Sequence, residues 1–133
     1  MNFLAAKKWK KRLGAAGEKT AARMLCDAGY DVLLRNCRTP RGEIDIVARD
    51  GASLVFAEVK TLYRRWNSKR ELHPVSGLRT AQKRRLLRAA RSYLRDMGNP
   101  SILYRFDLIE IIYDFTGPRE IRHWKNHFSA EPR

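Results

Sequence analysis

Helical spacing appears first along the chain. Ala16, Ala21, Met24, Leu25 and Ala28 recur at the interval of one helix face, predicting a helix from about Ala5 to Ala28 with Gly29 as its stop. The opening lysines and Arg12 read as a solvated basic N-terminal extension over residues 1–12, open to fraying. Tyr30 to Arg38, with Val32, Leu33 and Leu34, reads as a strand, and Thr39-Pro40-Arg41-Gly42 as a turn. Glu43 to Arg49 and Ser53 to Thr61 read as two more strands, with Asp50-Gly51 between them as a hairpin signal. Residues 62–77 read as a long basic loop. Helical spacing returns from about Ser76 to Met97 in Leu78, Ala81, Leu86, Leu87, Ala89, Ala90, Tyr93 and Leu94, and Gly98-Asn99-Pro100 ends it. Ile102 to Tyr113 reads as a strand, apolar at its centre in Leu108, Ile109, Ile111 and Ile112. A short strand or turn at Arg119 to Arg122 and a weakly amphipathic end at Trp124 and Phe128 complete the pattern. Neither a repeat nor a low-complexity linker divides it. The order predicts one α/β domain over residues 1–133, a sandwich with a central mixed β-sheet flanked by helices.

The chemistry concentrates in the predicted hairpin, in Gly42-Glu43-Ile44-Asp45-Ile46-Val47 and Phe56-Ala57-Glu58-Val59-Lys60. With Asp50-Gly51 as a two-residue turn, Asp45 faces Phe56 and Glu58 follows two positions on. With a four-residue loop, Asp45 faces Glu58 directly. Side chains alternate across a strand, so both registers predict Asp45, Glu58 and Lys60 on one face; a three-residue loop would break this. Val55, Ala57 and Val59 on the other face suit a helix-covered core. Two carboxylates and an ammonium are costly to bury without a purpose. Paired hard oxygen ligands suit Mg²⁺ or Mn²⁺, which can polarise a phosphate and help to deprotonate a water. Lys60 would then orient that water or stabilise charge on the phosphate in the transition state. The plainer alternative is an exposed cross-strand salt bridge, worth under about 1 kcal/mol.

Charge narrows the choice of partner. The 133 residues, 44% of them hydrophobic, suffice for one buried core, yet the net charge is +14. Such an excess on a small domain points to a polyanion, most often nucleic acid. Tyr63, Arg64, Arg65, Trp66, Lys69 and Arg70 lie just past the candidate site. Arg79, Lys83, Arg84, Arg85, Arg88, Arg91 and Arg95 follow on the second helix. Cations of this kind contact phosphates, and Tyr63 or Trp66 could stack on an unpaired base; the plainer alternative is a solvated helix face. The main nucleic-acid-binding candidates are Arg64, Arg65, Trp66, Lys83, Arg84, Arg88 and Arg91. No apolar run approaches the roughly 18 residues of a membrane span, and no signal peptide is legible, so a cytoplasmic protein without a membrane partner is expected. Cys26 and Cys37 have no zinc-site spacing and read as small buried hydrophobes.

Several motifs occur in order: Gly17-Glu18, Arg35-Asn36, Gly42-Glu43-Ile44-Asp45, Phe56-Ala57-Glu58-Val59-Lys60-Thr61, Lys83 with Arg85, Ala89-Ala90 with Tyr93-Leu94, and Arg105-Phe106-Asp107. Together, from about Gly14 to His123, they resemble the bacterial YraN family. That uncharacterised group is similar to archaeal Holliday-junction resolvases and belongs to the PD-(D/E)XK nuclease superfamily. The resemblance implies a restriction-endonuclease-like fold, with Asp45 and Glu58 as metal ligands, Lys60 as the catalytic lysine, the Val59 carbonyl completing the metal shell and Glu18 as a helix-borne acid of the site. It implies Mg²⁺ or Mn²⁺ as cofactor and DNA, branched or single-stranded, as substrate. Resolvases are often dimers, so a homodimer is expected by analogy alone. The Lys60–Lys83 segment is longer than the family's, and Leu62 stands where an arginine is usual. Glu43 shares the predicted face of Asp45 but does not match the superfamily aspartate; Asp107 is read as structural. A non-catalytic nucleic-acid binder that keeps the fold and a small basic ribosome-associated protein are the rival readings; the second predicts no divalent-ion site.

Overall fold

A computed structural model describes residues 2–64 and 77–129. Its elements are α1 (Phe3–Asp27), β1 (Asp31–Thr39), β2 (Gly42–Asp50), β3 (Ser53–Tyr63), α2 (Thr80–Asp96), β4 (Leu103–Asp114) and β5 (Gly117–Phe128). The five strands form one mixed sheet in chain order, antiparallel except for the parallel β3–β4 pair that α2 connects. This is the α/β sandwich expected, with a central mixed sheet flanked by helices.

The pattern of apolar residues explains the layers. Ala21, Ala22 and Leu25 of α1 pack on Ile46, Ala48, Val55, Ala57, Ile109 and Ile111. Leu86, Ala89, Ala90 and Leu94 of α2 pack on Ile44, Val47, Leu54, Phe56, Phe106 and Leu108. Strand β4 lies inside the sheet, so Phe106 through Tyr113 are buried on both faces. Asp107 joins that core through bonds from Arg105 and His123, in the structural role expected. Both helices end alike: Gly29 and Gly98 donate their N–H groups to Cys26 O and Arg95 O, and the next residues reach back to Leu25 O and Leu94 O.

Several boundaries differ from expectation. The basic extension over residues 3–12 is the start of α1, secured by Asn2, whose Oδ1 accepts from Ala5 N at 2.8 Å. Leu62 and Tyr63 continue β3 instead of opening the loop, and residues 65–76 lie outside the described residues. The short C-terminal element is a twelve-residue edge strand. Arg119, Arg122 and Lys125 hid it: charge on an edge discourages pairing with another chain and erases the apolar signature of a strand. Cys26 is exposed, not buried, and Cys37 is half-buried.

Close packing at Gly17 positions the site. A Cβ there would overlap Thr61 Oγ1 and lie 3.1 Å from Thr61 Cβ and 3.2 Å from Cγ2. Threonine is stiff at χ1 and cannot swing aside. Gly17→Ala is therefore expected to destabilise by about 1–3 kcal/mol through overpacking, although alanine is the better helix former by about 1 kcal/mol. Thr61→Ala in the same chain should recover most of the loss. Urea denaturation of the two single variants and the double variant checks this; a stabilised Gly17→Ala would refute the tight approach of α1 to β3.

Candidate active site

The hairpin turn is Gly51–Ala52, one residue later than expected, and the ladder runs from Asp50↔Ser53 to Ile46↔Ala57. Arg49 thus pairs with Leu54, the register of the four-residue alternative, and one more step would put Asp45 opposite Glu58. The ladder stops before that step. Asp45 Oδ2 instead accepts the Val59 N–H at 2.8 Å. Strand β1 is irregular at the same level, where Asn36 has a φ of 51°. Here β2 separates from β3, and a carboxylate fills the gap between their backbones.

The expectation that Asp45 shares a face with Glu58 and Lys60 needs correction for this reason. Ile44 packs on the α2 side and Ile46 on the α1 side, so strict alternation fails across Asp45. Its carboxylate lies toward the plane of the sheet. Glu58 and Lys60 do share a face, in phase with Phe56 on the α2 side, while Val55, Ala57 and Val59 face α1 as expected. From the α1 side Glu18 hydrogen-bonds to Asp45, and Asp45 also hydrogen-bonds to Glu58.

Asp45 thus meets a carboxyl group on either side, and three such neighbours cannot all be ionised cheaply. Burial, then the charge of Asp45 and the hydrogen bond to it, pushes the Glu58 carboxyl up to about 8, against the opposing charges of Arg85 and Lys60. Burial and the charge of Glu43 raise Asp45, opposed by the Val59 N–H and by bonds from Glu58 and Glu18. Burial and Asp45 raise Glu18, opposed by Arg35 and Asn36. All three carboxyl groups are thus shifted toward the protonated form, Glu58 the most. Such a hard-oxygen donor set is the chemistry a divalent cation takes over from protons. Among the described residues, no group of three or more His, Cys, Asp or Glu side chains is arranged to hold a metal ion. Asp45 and Glu58 are two carboxylates that could serve an ion only together with backbone, water or substrate oxygens.

Two clefts open on the triad. One, about 350 Å³, is lined by Arg41, Gly42, Glu43, Asp45, Glu58, Gln82, Arg85 and Leu86. The other, about 360 Å³, runs between α1 and the end of β3 and includes Glu18 and Val59. Lys60 Nζ donates to Gly77 O at 2.9 Å, and His127 Nε2 accepts the adjoining Leu78 N–H at 3.2 Å. Gly77 has a φ of 74°, and a Cβ there would overlap the His127 ring. Glu43 stands on the rim, exposed and paired with Arg38 at 3.2 Å.

The basic residues divide. Lys83, Arg84, Arg88 and Arg91 line a separate groove of about 600 Å³ between α2 and Phe128. Arg64 is half-buried after β3, and Arg65 and Trp66 lie outside the described residues. Arg85 turns to the carboxylates instead, a role the sequence reading did not single out. The signal was present: Gln82, Arg85, Leu86 and Ala89 fall at i, i+3, i+4 and i+7, one face of α2. Glu110 was missed as well. It is 1% exposed, pairs across the ladder with Lys60 and accepts the Trp124 indole N–H at 2.5 Å.

Fold and site together define a mixed-sheet α/β protein with a half-buried carboxylate cluster where two strands part. The chain belongs to the family described as Uncharacterised protein family UPF0102, the YraN group that the motifs resembled, which matches residues 17–111. It is similar to UPF0102 proteins of Chlorobaculum tepidum, 40% identical over 89% of each chain, and of Symbiobacterium thermophilum, 41% identical over 90% of this chain and 98% of that one. A Frankia casuarinae UPF0102 protein is 42% identical over 90% and 98%. Among solved structures, Pyrococcus furiosus SfsA in complex with Ca²⁺ aligns with a TM-score of 0.36 at 12% identity, over 87% of this chain and 63% of that one. No helix among the described residues is long and apolar enough to cross a membrane.

Proposed function

We propose that this protein is a Mg²⁺- or Mn²⁺-dependent nuclease that hydrolyses phosphodiester bonds in DNA, branched or single-stranded. The convergence of Glu18, Asp45 and Glu58 where β2 leaves β3, with Lys60 next on the Glu58 face, carries the reading. Asp45 and Glu58 would hold the ion, with the Val59 carbonyl as a further ligand. A bound ion would polarise the scissile phosphate and help to deprotonate the attacking water. The Val59 N–H fixes the Asp45 carboxylate by a bond from rigid backbone. Lys60 and Arg85 bring positive charge to the Glu58 side, where charge builds on the phosphate in the transition state. Lys83, Arg84, Arg88 and Arg91 form a cationic track along α2 for the phosphate backbone.

The test is a panel of branched, flapped, single-stranded and duplex DNA with Mg²⁺ or Mn²⁺, together with binding in EDTA. At least one substrate should be cut. Asp45→Ala should fall to background while still binding DNA, and Lys60→Ala should lose roughly a hundredfold or more in rate. Binding should weaken with salt, and removing Arg84, Arg88 and Arg91 should flatten that dependence by about one unit of slope per lost phosphate contact. Equal cleavage by wild type and Asp45→Ala would mean a contaminating nuclease. Salt-dependent binding without cleavage of any substrate would leave the non-catalytic nucleic-acid binder.

A further inference from the structure

The cleft on the α1 side of the triad differs in chemistry from the one on the α2 side. Its lining includes Trp9, Lys10, Leu13, Glu18, Val59 and Tyr63. Trp9 and Tyr63 meet edge to face, with ring centroids 5.2 Å apart and planes at 81°. That arrangement leaves ring faces uncovered by the partner ring, and the residues are 41% and 36% exposed. Lys10 lines the cleft itself, and the same stretch of α1 carries Lys7, Lys8, Lys11 and Arg12. The same cleft also reaches Glu18, which bonds to Asp45, so it runs along α1 from the aromatic pair toward the carboxylates.

We propose that this cleft takes one unpaired nucleobase of the substrate strand, stacked on Trp9 and Tyr63 at the end of the cleft away from Glu18. The proposal rests on the nuclease reading and names its substrate class: nucleic acid with an unpaired nucleotide a short way along the strand from the scissile phosphate. The cations of α1 complement the flanking phosphates, and the flat rings meet a base of any identity. A volume of about 360 Å³ lies in the range of small-ligand clefts. A base inside a duplex is stacked on its neighbours and cannot enter; a flap, bulge or single strand presents it without the cost of unstacking. A lipid surface is the lesser fit, because Trp9 packs against Tyr63 in a cleft next to carboxylates instead of extending an apolar face with Phe3 and Leu4.

The experiment measures binding by fluorescence anisotropy in EDTA, where no cleavage interferes. The probes are a single-stranded oligonucleotide, a blunt duplex, a duplex with a one-nucleotide flap, and the same flap made abasic. Trp9→Ala should weaken single-strand and flap binding about tenfold and leave blunt-duplex binding within about twofold. Trp9→Phe should keep most of the affinity. In the wild type the abasic flap should lose the same factor, which requires no mutant to fold; Trp9→Ala should not distinguish the two flaps. Equal weakening on every probe, or wild-type indifference to the missing base, would overturn the stacking site while leaving the nuclease reading in place. Loss of binding to phosphatidylserine vesicles, with oligonucleotide binding intact, would overturn it in favour of a membrane contact. A wild type that binds none of the four probes at low salt would remove both proposals.

Discussion

Asp107→Asn is expected to cost roughly 3–5 kcal/mol, the range for breaking a buried ion pair from one side. Asp107 is fully buried and accepts from Arg105 Nε at 3.0 Å, from the Asn126 N–H at 3.0 Å and from His123 Nε2 at 2.8 Å. Arg105 extends the network to Asp50 at 2.9 Å and to the Tyr30 hydroxyl at 2.8 Å. One carboxylate thus ties β4 to β5, and its arginine ties both to the end of β2 and to Tyr30 in the turn between α1 and β1. Asparagine keeps the shape but removes the charge, and it turns an N–H₂ group toward one of three donors. Arg105, 19% exposed, would keep a cation with only Asp50 beside it. Against a total of about 5–15 kcal/mol this leaves little margin. The pH dependence has a definite sign. Burial pushes the Asp107 carboxyl up, but the bonds from His123, Arg105 and Asn126 outweigh it and the net shift is downward. A depressed carboxyl contributes stability above its unfolded pKa and loses it as pH falls through the folded one. Wild type should therefore lose stability more steeply than Asp107→Asn below about pH 4. Urea denaturation followed by circular dichroism at pH 7 and across the acid range decides; a cost under about 1 kcal/mol with an unchanged acid limb would refute the network's role.

The legible parts of this architecture are those whose period reflects burial. Strand β4 is apolar on both faces at Leu108, Ile109, Ile111 and Ile112 because sheet lies on both sides of it and helices cover both faces. Glu58 and Lys60 could be placed on one face because β3 keeps strict alternation through Phe56, Ala57 and Val59. Asp45 could be chosen as a residue but not oriented. Its orientation depends on a kink at Asn36 and on an interrupted ladder, neither of which is written in a period of two. The largely polar edge strand β5 was legible only as a short strand or turn around Arg119 to Arg122, because its charged residues mask its length. Trp9 is a different case. Ala6, Trp9, Leu13 and Gly17 step along one helix face toward Ala21, so the stripe was in the sequence, but the lysines between them dominate any reading by charge. Helix phase was equally available for Arg85. The expected roles of Arg65 and Trp66 fall outside the described residues.

In EDTA, wild type is expected to lose stability from pH 6 to pH 9, and Glu58→Gln is expected to remove most of that loss. The Glu58 carboxyl is raised to about 8, first by burial and then by Asp45. For an acid with a raised folded pKa, the stabilising proton is fully present below the unfolded pKa, and its contribution is lost as pH rises through the folded value. The window therefore runs from about pH 4.5 to somewhat above 8, and the loss amounts to a few kcal/mol. Asp45 and Glu18 shift in the same direction and deepen it. Glutamine carries no charge to desolvate and can still donate to Asp45, so the variant should melt as high as wild type at pH 6 and higher at pH 9. Mn²⁺ should reverse the order. An ion held by Asp45 and Glu58 replaces the proton and stabilises wild type at pH 9 by about 2.7 kcal/mol at a hundredfold excess over its dissociation constant. Glu58→Gln and Asp45→Asn should respond little. A structural salt bridge between Glu58 and Lys60 or Arg85 makes the opposite forecast: the glutamine variant melts lower at every pH, wild type gains stability as Glu58 ionises, and Mn²⁺ changes nothing. Melts of the three proteins at pH 6 and pH 9, first in EDTA and then with Mn²⁺, separate the two cases. A wild type that is more stable at pH 9 than at pH 6 and indifferent to Mn²⁺ would remove the metal site and leave the cationic groove on α2 as the feature to explain.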